Sequence, residues 1–431
     1  MSSQRGFILV LSYLFLTFLV MWAAVGFGRS ATELDASERY TGTSQGFHIA
    51  EAALDDGARW LQGLPAPPSG TLSFDACVNG VPPLCAACPC QLNGVSYTVT
   101  VDPDDNNPTS FLDLYTVTAT STSSGLQSSR RILGILQTES FARYSYFTNY
   151  EEMSSGTNIW FTTRDHLQGP VHSNDQFNIA GNPIFDGLLS SANSAINYKN
   201  PPPTGGNNPQ FNGGLSLGAD AISLPLSSTQ LRVAAASASG NWFSGNTAIA
   251  LQSNGTMLVT NAAMGWANEP RPLPVNGALF VNGGNVTVSG TLDGQLTIGA
   301  SDDVIVTNNV TCAVDPKTNP SSDDILGLVA ERNVVISQAA PFDLTIQASV
   351  TALASSFTVE NWWVGPPKGD LHIYGGIIQD RRGPVGTFNS STGDKVSGYS
   401  KDYQYDSRFS STAPPFYPTT GDYNEVLWQE N

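Results

Sequence analysis

The chain opens on Gln4-Arg5-Gly6-Phe7-Ile8-Leu9-Val10-Leu11-Ser12-Tyr13-Leu14-Phe15-Leu16-Thr17-Phe18-Leu19-Val20-Met21-Trp22-Ala23-Ala24-Val25-Gly26-Phe27-Gly28-Arg29. Residues 7–27 carry no charge and are apolar almost throughout, bracketed by Arg5 and Arg29. At about 1.5 Å of rise per residue, such a run reaches across the roughly 30 Å hydrocarbon core of a bilayer. A secretory signal peptide has a shorter apolar region closed by small residues at a cleavage site. Here the run continues into a polar helical segment, so the pattern predicts a retained membrane helix. A buried helix of a soluble protein rarely lacks a polar face for so long.

Composition places the rest of the chain. The 431 residues hold 19 Lys and Arg against 36 Asp and Glu, a formal net charge of −17. Phosphate binding needs basic patches, which this balance does not offer, so no nucleic-acid partner is expected. Arg5 stands before the helix and Arg29 and Arg39 after it, so the positive-inside rule leaves orientation open. An acidic body rich in Asn, Thr, Ser and Gly, with clustered cysteines, favours export. Cys77, Cys85, Cys88 and Cys90 lie together and Cys312 stands far downstream. In an oxidising compartment the four form two disulfides in one of three pairings. Four thiolates can also hold zinc, but this spacing is not a common zinc pattern.

The start also carries a motif: a short basic leader, Gly6-Phe7, then the apolar helix. It resembles the class III signal of the type IV pilin family. The resemblance implies that prepilin peptidase cuts between Gly6 and Phe7, leaving Phe7 as a methylated N-terminus. Major pilins carry a glutamate five residues into the mature chain, and here that position is Leu11. That departure makes the chain more similar to PilX-type minor pilins and K-type pseudopilins. A second stretch, Gly46-Phe47-His48-Ile49-Ala50-Glu51-Ala52-Ala53-Leu54, resembles the helix of PilX-type proteins. Read from the residues, Phe47, Ala50, Leu54, Ala58 and Leu61 share one helical face, with Asp55 placed to pair with Arg59. Glu51 reads as a solvated helix residue. Gly42 and Gly46 lower helix propensity and mark a bend.

Beyond a Pro-rich turn at 65–70 and the cysteine loop, residues 95–101, 114–120 and 131–138 alternate or are β-branched and predict strands. A long helix on a small antiparallel sheet is the pilin plan. The turn at 102–107 is acidic but lacks the glycine and distal glutamate of a calcium loop. From residue 141 on, short strands recur every eight to ten residues with Asn, Gly and Asp at the corners, among them Ala278-Leu279-Phe280-Val281, Asn285-Val286-Thr287-Val288, Gln295-Leu296-Thr297-Ile298, Asp303-Val304-Ile305-Val306, Asn333-Val334-Val335-Ile336 and Asp343-Leu344-Thr345-Ile346. Stacked coils with such corners favour a parallel β-helix-like solenoid over a sandwich, since few gaps look like two-residue hairpins. Gly169-Pro170-Val171-His172-Ser173-Asn174, Ile377-Ile378-Gln379-Asp380-Arg381-Arg382-Gly383-Pro384 and Gly398-Tyr399-Ser400-Lys401-Asp402-Tyr403 resemble an uncharacterised bacterial surface domain that often follows a PilX-type start.

The expected organisation is α+β: leader 1–6, membrane helix 7–27, a pilin-like helix and sheet over 28–140, a β-solenoid over 141–398, and an aromatic, Pro-rich cap over 399–431. No nucleophile elbow, metalloprotease helix, P-loop or dinucleotide motif is present, so neither an enzyme nor a cofactor is expected. His166, His172 and Asn174 form the constellation that chemistry would use, while Asp302 with Asp303 and Asp323 with Asp324 read as exposed turns. These readings point to a minor pilin-like or accessory subunit of a type IV pilus or related secretion filament. It would sit in the bacterial inner membrane with an exported body, meet other pilins through its helix, and reach the pilus or cell surface on assembly. The alternatives are a membrane-anchored adhesin with a glycan or protein ligand, and a β-helix carbohydrate-active enzyme.

Overall fold

The computed structural model describes residues 3–62, 70–74, 91–92, 95–103, 112–123, 128–199, 206–389 and 394–430. The cysteine cluster at 77–90 and most of the acidic turn at 102–107 lie outside these residues. The chain divides into two compact units: residues 1–106, 113–137 and 423–431 form the first, and residues 107–112 and 138–422 the second.

In the first unit a single helix, α1, runs from Ser3 to Gln62. Its second half lies against a six-stranded sheet made of Leu72–Phe74, Gln91–Leu92, Val95–Pro103, Leu114–Ser123, Ser128–Ser140 and Thr419–Glu430. The strands 95–103, 114–123 and 128–140 are antiparallel neighbours. Their alternation sends Val95, Tyr97, Val99, Val101, Tyr115, Val117, Ala119, Ile132 and Leu136 into one core with Ile49, Ala50, Ala53, Leu54 and Leu61 of α1. The helix face is centred differently from the expected one. Ala50, Leu54 and Leu61 are buried, but Phe47 and Ala58 sit at its margin, and Ile49, Ala53 and Gly57 complete it.

Two local expectations need correction. Gly42 and Gly46 do not interrupt the helix, which continues through both. Gly46 instead meets the sheet, where Ser121 Oγ donates to its carbonyl at 2.7 Å. Gly57 plays the same part more severely: a Cβ there would lie 2.8 Å from Val99 Cγ1 and 3.1 Å from Val117 Cγ1. Arg59 pairs with Asp56, at 3.4 Å, rather than with Asp55, since the i,i+3 partner lies nearer on the same turn.

The second unit is built from rows of parallel strands. One row runs Asn241–Ser244, Ala278–Asn282, Gln295–Ala300, Ile325–Ala330, then the ends of Leu344–Ala352 and Pro367–Arg381, then Tyr146–Tyr150, Val171–Ser173, Leu189–Ser191 and Leu215–Leu217. A second row runs Thr247–Gln252, Val286–Leu292, Val304–Cys312, Val334–Ile336 and Phe357–Val359. The Asn and Asp corners of the second row have a mechanical role. Asn246, Asn285, Asp303 and Asn333 each accept the backbone N–H of the next corner, so every corner hangs on the one before it.

The order within the first row is not chain order. The chain enters mid-row at Tyr146, winds out to Leu217, crosses to the far end through a segment containing the helix α2 (Thr229–Ala236), and winds back until residues 377–381 lie beside Tyr146–Tyr150. We call this junction the seam. The expected cap over 399–431 is also replaced. Lys395–Gln404 is a strand of the second unit, and Thr419–Glu430 is a strand of the first unit's sheet. The second unit is therefore an insertion between two strands of the first unit's sheet. Its two ends are bridged by Phe141 N–H donating to Pro418 O at 3.0 Å. Inside the first unit the returning strand is held by Arg130 on Glu430, by Trp428 edge-on to Phe47, and by Tyr423 edge-on to Tyr115. Aromatic periodicity alone gave no sign of this return, because pairing partners so far apart leave no local signal.

Candidate functional site

Three places carry the molecule's chemistry. The first is the apolar half of α1. Its side chains from Phe7 to Phe27 are exposed, Leu11 included, and the helix is long and apolar enough to cross a membrane. Its serine and threonine hydroxyls are satisfied within the helix: Ser12 Oγ donates to the carbonyls of Ile8 and Leu9, and Thr17 Oγ1 to that of Leu14. The short hydroxyl side chains of this stretch therefore bring no unsatisfied donor to a lipid or apolar protein surrounding. Gly6 lies within α1, one residue before the exposed Phe7.

The second place is the His–Asn constellation. His172 is 2% exposed, and its ring stacks on Phe147 at 5.4 Å. Asn174 Oδ1 can only accept, so His172 Nε2–H donates to it at 3.0 Å, and Nδ1 takes the Ser190 hydroxyl at 2.8 Å. Burial pushes the imidazole pKa down, keeping the ring neutral. Asn174 clasps the crossover: its Oδ1 accepts Ile222 N–H at 2.9 Å, and its Nδ2 donates to Ile222 O at 2.6 Å. The structure thus joins His172 with Asn174 and gives His166 other partners. His166 is half exposed, with Asp186 Oδ2 at 2.6 Å. Asp303 binds Arg332 at 2.8 Å, while Asp324 is buried, accepting the N–H groups of Gly294 and Val314, unlike the exposed turn expected of it. Among the described residues, no three of His, Cys, Asp and Glu are gathered as metal ligands.

The third place, which the sequence did not reveal, lies at the seam. Glu151 is fully buried and Arg382 is 3% exposed; Arg382 Nη1 donates to Glu151 Oε2 at 2.7 Å. The guanidinium lies 3.6 Å over the Phe161 ring. Lys401 Nζ reaches Asp165 Oδ1 at 2.7 Å. Asp165 Oδ2 accepts Thr162 N–H at 2.7 Å and its hydroxyl at 3.1 Å. Burial raises the Glu151 carboxyl, with Arg382 opposing, and burial lowers the Lys401 ammonium, with Asp165 opposing. At Asp165 burial acts upward, but Lys401, Arg382 and Thr162 outweigh it and leave the carboxyl low. Asp165, Arg382 and Lys401 line a cavity of about 20 Å³ together with Tyr146, Gln379 and Tyr403. Sequence pattern could not find them, since each pair joins residues more than two hundred positions apart, such as Glu151 and Arg382.

Residues 111–194 match a family described as a domain of unknown function, DUF4900. No curated protein matches the chain. Among solved structures the chain is similar to the competence-associated pilin ComZ from Thermus thermophilus, at 11% identity and a TM-score of 0.35, covering 91% of this chain and 96% of that one. So loose a superposition carries no argument about fold or function.

Proposed function

We propose that the chain is a pilin-like minor or accessory subunit of a type IV pilus or related secretion filament, presenting the inserted β-rich unit at a tip or surface. The observation that carries this reading is α1 itself. One unbroken helix has a first half exposed and apolar and a second half packed on an antiparallel sheet. A helix so divided suits insertion in a membrane and later packing among the helices of other pilins, since its apolar half has no partner among the described residues. The Gly6-Phe7 junction, resembling a class III processing site, supports the same reading. Leu11 in place of the pilin glutamate favours an accessory role, because a carboxylate meant to neutralise a neighbour's terminal amine is missing. The parallel rows of the second unit support a β-solenoid for the presented body.

The test is mass spectrometry of the membrane-extracted protein from a piliated host. The reading expects a mature chain starting at Phe7, and retention of residues 1–6 when prepilin peptidase is deleted. Normal processing and surface delivery in that deletion would sink it.

A further inference from the structure

We propose that Lys401 and Asp165 are joined by an intramolecular isopeptide bond, a covalent rung across the inside of the second unit. Three independent features place these two residues for it. The first is register. Leu371 pairs with Lys401 and Tyr403 with Leu167 in parallel strands, so Lys401 lies on the strand beside the one that Asp165 leads into, the carboxylate buried and the lysine three-quarters covered. They meet at 2.7 Å although 236 positions separate them.

The second feature is the cradle at the other carboxylate oxygen. Thr162 N–H and hydroxyl both hold Asp165 Oδ2, leaving Oδ1 to the amine. Oδ2 is where negative charge develops when an amine adds to the carboxyl carbon, and fixed N–H and O–H donors there stabilise the addition. The third is the cavity. Its volume of about 20 Å³ admits one water molecule. Arg382 Nη2, a buried donor with no hydrogen-bond partner among the described residues, belongs to a residue lining it.

The step balances without any co-reactant. The Lys401 ammonium passes a proton to Asp165 Oδ1 along their hydrogen bond, giving a neutral amine and a neutral acid. Burial biases the lysine toward its neutral form, while Lys401, Arg382 and Thr162 hold the Asp165 carboxyl low, so this proton transfer is the uphill part of the step. The Nζ lone pair adds to Cγ and the Nζ–Cγ bond forms, with the charge on Oδ2 held by Thr162. The Cγ–Oδ1 bond then breaks, and Oδ1 leaves as water with its own proton and one from the nitrogen. The cavity receives that water beside Arg382. Fixing amine and acid in contact replaces a bimolecular encounter by an intramolecular one, which can contribute several powers of ten in rate. Glu151 acts as a positioning residue, holding Arg382 by its other nitrogen.

The experiment is peptide mapping of the full-length, detergent-extracted chain. The expected result is a branched peptide joining Asp165 to Lys401, lighter by one water than its two linear parts, and faster gel migration of the denatured chain than for Lys401→Arg. Lys401→Arg keeps an ion pair but cannot form the bond, so the branched peptide disappears. Thr162→Val, which retains the backbone donor, slows cross-link formation after refolding by about ten-fold or more. Finding only linear peptides of full mass at Asp165 and Lys401 in the natural sequence overturns the proposal, whatever the variants do. A branched peptide that persists in Lys401→Arg overturns the assignment of the lysine.

Discussion

The two units solve the problem of partner choice in opposite ways. In the helix-and-sheet unit, contact is governed by size: Ala50, Ala53 and Gly57 let α1 close on Val99 and Val117, and the three central strands, 95–103, 114–123 and 128–140, follow one another in sequence. In the inserted unit the rungs are nearly interchangeable rows of Val, Ile and Leu, so apolar pattern alone does not say that Tyr146–Tyr150 belongs beside 377–381. There the choice is made by charge. Glu151 with Arg382, Glu152 with Arg381, and Asn149 with Asp380 all bridge the seam. A misplaced rung would bury Glu151 or Arg382 without its partner, a cost several times that of losing a methyl contact. The buried Glu151–Arg382 pair stands where hydrophobicity is degenerate.

Breaking the seam is expected to have the largest effect. Glu151→Ala leaves the Arg382 guanidinium buried without its carboxylate and is expected to destabilise the inserted unit by about 4 kcal/mol. Chemical denaturation would measure it; a loss below about 1 kcal/mol would show that charge does not specify this junction. In the other unit, Gly57→Leu forces a side chain into Val99 and Val117 and is expected to cost about 3 kcal/mol, read as lost thermal stability of the helix-and-sheet unit. Asn174→Ala removes both hydrogen bonds to Ile222 and is expected to cost about 2 kcal/mol, with faster hydrogen exchange at the Ile222 amide.

The smallest effect is the dependence on pH. Burial lowers the His172 pKa, so the folded protein binds fewer protons there than the unfolded chain. The stability this neutral ring supports is complete above the ordinary imidazole value of about 6.5 and declines as pH falls through that value toward the lower folded one. His172→Gln should flatten this part of the stability curve, and an unchanged slope would place the titration elsewhere.

Much of this architecture was legible locally. Residues 7–27 announced a membrane-length helix, the strands near 95, 114 and 131 were placed by alternation, and the corner residues Asn285, Asp303 and Asn333 marked where rungs turn. The helix face was misjudged toward Phe47 because bulk suggested burial, whereas close approach to the sheet required Ala53 and Gly57. His172 and Asn174 stood out in the sequence as a candidate for chemistry, and three-dimensional structure gives them the crossover to hold. Lys401 stood out only as part of a family-like motif and Asp165 not at all, since nothing near either residue identifies its partner.

What the sequence determined by itself is the set of elements: an apolar helix, short strands, and turns at Asn, Asp and Gly, all fixed by interactions within a few residues. Tertiary structure decided the rest, namely the return of Thr419–Glu430 to the first sheet, the crossover that reverses the order of rungs, and the buried charges at the seam. The reason is one of range. Periodicity and turn chemistry act along the chain, while the pairing of interchangeable strands is settled by which distant charges and apertures fit once the chain has closed on itself.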